Sequence, residues 1–223
     1  MNLPNKLTIF RIILVPIMVI IPFLGIDGKI FGIPTEWIII DLIFIIASIT
    51  DKLDGYLARK NNQVTNFGKF LDPIADKILV VAAMILFVEM GRLPAWIPII
   101  VIFREFAVSG YRLIAVQNSG KVIAANIWGK LKTVTQMIAI ILMFLTTQPY
   151  FAFVLRAKTE QDALVNSALT YMTTGDFVMN ILASVFMTVS VIATIFSGYE
   201  YLKSGKDLLK EEILDLFFLL KDC

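Results

Sequence analysis

Runs of about twenty apolar residues recur along this chain, separated by short polar or Gly- and Pro-containing stretches. That length is what an α-helix needs to cross the hydrocarbon core of a bilayer. Backbone groups in lipid must be paired internally, which leaves only helices and closed barrels as spanning structures. A barrel would show segments of alternating polarity, and these runs do not alternate. The expected fold is therefore all-α and integral to the membrane. A single domain covers 1–223, with six transmembrane helices at about 7–24, 36–57, 68–90, 95–116, 127–147 and 177–202. No small-residue cleavage site follows the first run, which is read as a retained span. Residues 206–220 repeat Leu-Leu, Glu-Glu and Phe-Phe at near-helical spacing, which predicts an amphipathic C-terminal helix on the membrane surface or at a dimer contact.

The basic residues set the orientation. With the N-terminus inside, the inner segments hold Lys6, Arg59, Lys60, Lys69, Lys121, Lys130 and Lys132, and the tail adds Lys203, Lys206, Lys210 and Lys221. The outer loops then hold only Lys29, Arg92, Arg156 and Lys158. The positive-inside rule thus predicts a multi-pass protein of the cell membrane with both termini cytoplasmic. Nothing in the near-neutral net charge of +2 points to a nucleic-acid partner.

Histidine is absent, and the single cysteine is Cys223. A disulfide framework and a Cys/His metal site are both excluded. Acid–base chemistry falls to carboxylates, Lys, Tyr or water. A carboxylate within the membrane costs about 2.5–3.5 kcal/mol on insertion scales. Glu36, Asp41 and Glu89 read as ordinary solvated or snorkelling acids near span ends. The stretch Asp51-Lys-Leu-Asp54-Gly55-Tyr-Leu-Ala58-Arg59, eight residues, then Gly68-Lys-Phe-Leu-Asp72-Pro-Ile-Ala-Asp76 is different.

Asp51 and Asp54 share one helix face, as do Asp72 and Asp76. The second span ends, and the third begins, at the same predicted cytoplasmic surface, so the two pairs can converge there. Ion pairing with Lys52, Lys69 and Lys77 accounts for part of that charge, but not for the glycines. Hard oxygen ligands point to Mg²⁺ or Mn²⁺, and four carboxylates suit two ions. Gly55 and Gly68 leave room for a ligand against the backbone. Arg59 offers a planar donor to phosphate. A second polar cluster lies in Phe103-Arg104-Glu105-Phe-Ala-Val-Ser-Gly-Tyr-Arg112 and in Trp128-Gly-Lys130-Leu-Lys132-Thr. Its cations suit an anionic, phosphate-bearing acceptor. A structural Arg104–Glu105 pair and simple membrane anchoring by Lys130 and Lys132 are the bland alternatives.

The pattern Asp-x2-Asp-Gly-x2-Ala-Arg-x8-Gly-x3-Asp-x3-Asp resembles, without departure, the signature of the CDP-alcohol phosphotransferases. The resemblance implies a six-span enzyme, commonly a homodimer, that displaces CMP with an incoming hydroxyl using two divalent ions. It implies that Asp51, Asp54, Asp72 and Asp76 hold metal and that Asp76 is also the catalytic base. Asn5, Thr8, Gly55, Arg59, Thr65 and Gly68 would contact the CDP moiety. Asn2-Leu-Pro-Asn-Lys-Leu-Thr, the Arg104–Arg112 stretch and Gly129-Lys-Leu-Lys-Thr together resemble the family members that use CDP-diacylglycerol as donor and sn-glycerol 3-phosphate as acceptor. Arg104, Arg112, Lys130 and Lys132 would then hold the acceptor phosphate. Siblings using serine, inositol phosphate or phosphatidylglycerol are the nearest alternative. A cation or proton transporter is a more distant one, since intramembrane acids with an Arg also mark ion routes.

Overall fold

A computed structural model describes residues 3–60, 66–119, 127–151 and 174–204. Six long helices account for most of them: α1 (Leu3–Ile20), α2 (Thr35–Lys60), α3 (Asn66–Glu89), α4 (Trp96–Ser119), α5 (Ile127–Phe144) and α6 (Thr174–Ser204). These follow the apolar runs closely. A 3₁₀ turn, Ile21–Leu24, closes the α1 run and ends at Gly25, whose φ of 58° is left-handed.

The Gly- and Pro-rich link that follows is not merely a turn. Lys29–Ile30 (β1) and Ile33–Pro34 (β2) pair antiparallel around Phe31-Gly32. Phe31 and Gly32 have φ of 54° and 85°, the double positive φ of a tight two-residue hairpin.

The helices are apolar on both sides. Inside, Met18, Ile40, Phe44, Met84, Phe87, Ile97, Ile140, Phe144 and Met187 are fully buried, with the Phe87 and Phe144 rings 4.3 Å apart. Outside, Ile13, Ile17, Ile46, Ile85, Ile99, Phe103, Phe106, Val134 and Ile195 stand exposed. A water-soluble protein does not present so much large apolar surface, whereas a bilayer covers it. Lys6–Leu24, Ile127–Phe144 and Gly175–Tyr201 are long and apolar enough to cross a membrane. The other three helices carry more of the interior charges, Asp41 and Asp51 on α2, Asp76 and Lys77 on α3, Arg104 and Glu105 on α4, while α1 and α5 contribute Arg11 and Lys132.

Helix α6 packs closely on α5, and α1 packs on α2 and α3. The packed stripe of α6 repeats at helical spacing through Ser184, Met187, Val191 and Thr194, mixing small residues among larger ones. Small residues let helix backbones approach where no water drives them together.

At one end of the bundle Arg92 is only 4% exposed, not a snorkelling loop cation. Its Nη2 donates to the carbonyls of Met143 and Thr146, and the guanidinium lies 4.3 Å from the Trp37 ring centroid. Asp176 accepts from Thr146 Oγ1 at 2.7 Å and from the Thr147 N–H at 3.1 Å. These bonds take backbone groups that would otherwise prolong α5. The helix therefore stops at Phe144, three residues short of the sequence expectation. Burial pulls the Arg92 guanidinium down to about 10, partly countered by Asp176, so it remains charged at neutral pH. Arg92→Met leaves these carbonyls unpaired and is expected to cost about 2 kcal/mol, read as a lower unfolding midpoint in mixed micelles with catalysis per folded molecule retained.

Asp41 departs from expectation in the same way. It is 4% exposed, because Ile40, Asp41, Phe44, Ala47 and Ser48 form the inward stripe of α2.

Candidate active site

Helices α2 and α3 bring one acid from each half of the motif together. Asp51 sits in the C-terminal half of α2 and is one-third exposed. Asp76 sits close to the middle of α3, half-buried and within electrostatic reach of Asp51. Two unshielded carboxylates so placed repel each other, and a cation between them is the usual remedy.

Part of that cation is built in. Arg11 on α1 is fully buried and directs Nη1 at Asp51 Oδ1, 2.7 Å away. Its Nε donates to the Ala47 carbonyl at 3.2 Å, one turn before Asp51 on α2. Thr50 Oγ1 donates to the same carbonyl at 2.7 Å. Arg11 thus ties α1 to the turn of α2 that presents Asp51, and it also lies within reach of Asp76. Thr8 lies three residues earlier on the same face and is 1% exposed.

Beside the acids lies a cationic cluster. Arg104 Nη1 contacts Glu105 Oε1 at 2.9 Å, and Lys132 on α5 bonds the same oxygen. Lys77 on α3 stands 3.9 Å from Glu105 Oε2 and donates to Ser109 on α4. Arg104 extends to Ser197 on α6 through Nη2. It passes between two glycines: a Cβ on Gly129 would meet its Nη2 at 3.5 Å, and one on Gly198 its Cγ at 3.5 Å. Lys132 is buried and within reach of Asp76 as well as Glu105, so the two clusters are continuous.

Lys130 points elsewhere. Two residues along a helix are about 200° apart, so Lys130 and Lys132 cannot face the same way, and Lys130 is exposed. An apolar cavity of about 300 Å³ lies between α4 and α6, lined by Phe103, Val108, Tyr111, Ile195 and Tyr199, with Arg104 in its wall.

The remaining expected site residues are placed by the helix that carries them. Asn5 lies on α1, Asp54, Gly55 and Arg59 on α2, Gly68 and Asp72 on α3, and Arg112 on α4; their side chains, and Thr65 altogether, lie outside the described residues. Among the described residues no three acidic, His or Cys side chains converge, and the motif is represented by Asp51 and Asp76. This pair suits a hard divalent cation: both donors are carboxylate oxygens and they come from two packed helices. Sequence reasoning did not single out Arg11, although a lone Arg inside an apolar run is itself a signal. In the sequence Glu105 belongs to the second polar cluster, with a structural Arg104 pair as its bland alternative, and Lys77 reads as a pairing partner of the motif acids.

The chain matches the CDP-alcohol phosphatidyltransferase family over residues 1–196. It is 41% identical over 214 residues to a Bacillus subtilis protein named CDP-diacylglycerol–glycerol-3-phosphate 3-phosphatidyltransferase, covering 94% of this chain and 97% of that one. A Haemophilus influenzae protein of the same name is 48% identical over 143 residues, 62% of this chain and 73% of its own. One from Rickettsia typhi is 32% identical over 207 residues, 92% and 97% respectively.

Proposed function

Because this chain belongs to the CDP-alcohol phosphatidyltransferase family, we propose that it transfers the phosphatidyl group of CDP-diacylglycerol to sn-glycerol 3-phosphate, giving phosphatidylglycerophosphate and CMP. The reaction is a step of phospholipid synthesis. The observation that carries this reading is the continuity of the two clusters through Lys132, which reaches both Asp76 and Glu105. A carboxylate pair suited to a cation-bound pyrophosphate thus adjoins cations suited to an anionic acceptor.

In the proposed mechanism Asp51 and Asp76, with Asp54 and Asp72 of the same motif, hold two divalent ions, Mg²⁺ or Mn²⁺. When bound, these ions supply charge neutralisation for the pyrophosphate and for the departing phosphate. The acceptor hydroxyl oxygen bonds to the phosphorus that bears the diacylglycerol, the bond from that phosphorus to the CMP oxygen breaks, and the hydroxyl proton passes to Asp76. Arg104, Lys132 and Arg112 hold the acceptor phosphate, and Lys130 guides anions at the rim. Asn5, Thr8, Gly55, Arg59, Thr65 and Gly68 hold the CDP moiety. Arg11 positions Asp51.

The same reading takes 1–223 as one domain of six spans with cytoplasmic termini and a cytoplasmic active site in the cell membrane, acting as a homodimer. The donor's acyl chains then stay in lipid while its headgroup reaches the cleft. Purified enzyme supplied with CDP-diacylglycerol and Mn²⁺ should release CMP when glycerol 3-phosphate is added and not with serine, inositol phosphate or phosphatidylglycerol. CMP release with one of those three and none with glycerol 3-phosphate would overturn the acceptor assignment.

A further inference from the structure

Three cations from three helices meet a single carboxylate at Glu105: Lys77 from α3, Arg104 from α4 and Lys132 from α5. Three positive charges against the Glu105 carboxylate leave +2 at this hub, the nearby Asp76 being counted with the acid pair proposed to hold metal. A phosphate monoester carries about −1.5 to −2 at neutral pH, so the surplus matches one such group. We propose that Glu105 is a positioning residue for the acceptor phosphate, spacing these three cations around one anion site, and that Lys77 joins Arg104 and Lys132 there. The proposal rests on the phosphate-bearing acceptor assigned above and adds to it two residues and a division of labour.

The geometry gives Glu105 this task. Its Oε1 is shared by Arg104 and Lys132, while Oε2 faces Lys77, so the carboxylate separates the cations into two sets. Each cation keeps a further anchor or constraint. Lys77 bonds Ser109, Arg104 bonds Ser197, and Lys132 is enclosed, with a side chain only 7% exposed.

Without Glu105, Arg104 and Lys132 repel one another, and Asp76 becomes the carboxylate nearest in influence to Lys132. Lys132 would then turn into the acid pair and leave the phosphate. Loss of the negative charge therefore weakens anion binding, although it makes the cluster more positive.

Steady-state kinetics with the full-length enzyme tests this. Glu105→Gln is expected to raise the KM for glycerol 3-phosphate at least tenfold and to leave that for CDP-diacylglycerol within twofold. Inorganic phosphate, used as a competitive inhibitor, should lose affinity in parallel, and Glu105→Asp should recover part of both losses. A purely structural role would lower kcat and the melting midpoint with the acceptor KM unmoved, and that outcome overturns the proposal. Should Glu105→Gln fail to fold, Lys77→Gln at its more open position decides: an unchanged acceptor KM there removes the three-cation site. Wild-type enzyme that ignores glycerol 3-phosphate would instead sink the acceptor reading, so the two failures are distinguishable.

Discussion

Asp76→Asn is expected to lower kcat by at least ~10³-fold while CDP-diacylglycerol binding stays measurable. A positioned general base contributes about 10²–10⁴-fold, and this carboxylate is also proposed to hold metal, so its loss falls in the upper part of that range. Asparagine keeps the size of the side chain and one oxygen donor. It removes the charge and the proton acceptor. Without histidine in the chain, no stronger neutral-pH base stands ready to replace it.

The surroundings make Asp76 suited to the task. It lies within reach of Asp51, Arg11, Glu105 and Lys132, so opposing charges surround it on several elements rather than one dedicated partner neutralising it. Single-turnover CMP release, with donor binding followed separately by equilibrium titration, separates chemistry from binding. Turnover within tenfold of wild type would defeat the base assignment and move the proton to another acceptor.

Features that depend on one helix alone were legible in the chain. Apolar runs and their breaks gave the helices, because backbone pairing in lipid admits few alternatives. Asp51 and Asp76 stood out because carboxylates are costly in that medium. What escaped depends on how helices meet. Asp41 and Arg92 look like surface charges by position, yet helix packing and the carbonyls of Met143 and Thr146 enclose them. Lys130 and Lys132 look equivalent in a string of letters, and only the helical turn between them sends one inward. The Phe31-Gly32 hairpin escaped because phenylalanine rarely takes a positive φ. The hub at Glu105 draws on α3, α4 and α5, and no spacing rule within one helix reports such a meeting.

Arg11 is the clearest of these long-range features, forty residues from the acid it serves, and its removal is expected to have the second large effect. Arg11→Met should destabilise the folded enzyme by about 3–4 kcal/mol, because deleting one partner strands the other charge in a poorly solvated place. Asp51 is one-third exposed, which holds the figure to the lower part of the range for buried pairs. Methionine fills much of the volume, so a cavity contributes little. The lost Nε bond to the Ala47 carbonyl adds to the cost, since that bond joins α1 to α2 just before Asp51. A double-mutant cycle separates charge from packing. Arg11→Met combined with Asp51→Asn should be more stable than Arg11→Met alone, because no stranded carboxylate remains, while CMP release stays abolished. Unfolding in mixed micelles reads the stabilities. Strictly additive losses would mean that Arg11 acts through packing alone and that its contact with Asp51 is incidental. A positive coupling would mean that the acid motif depends on a cation from the first helix for its shape before any metal is bound.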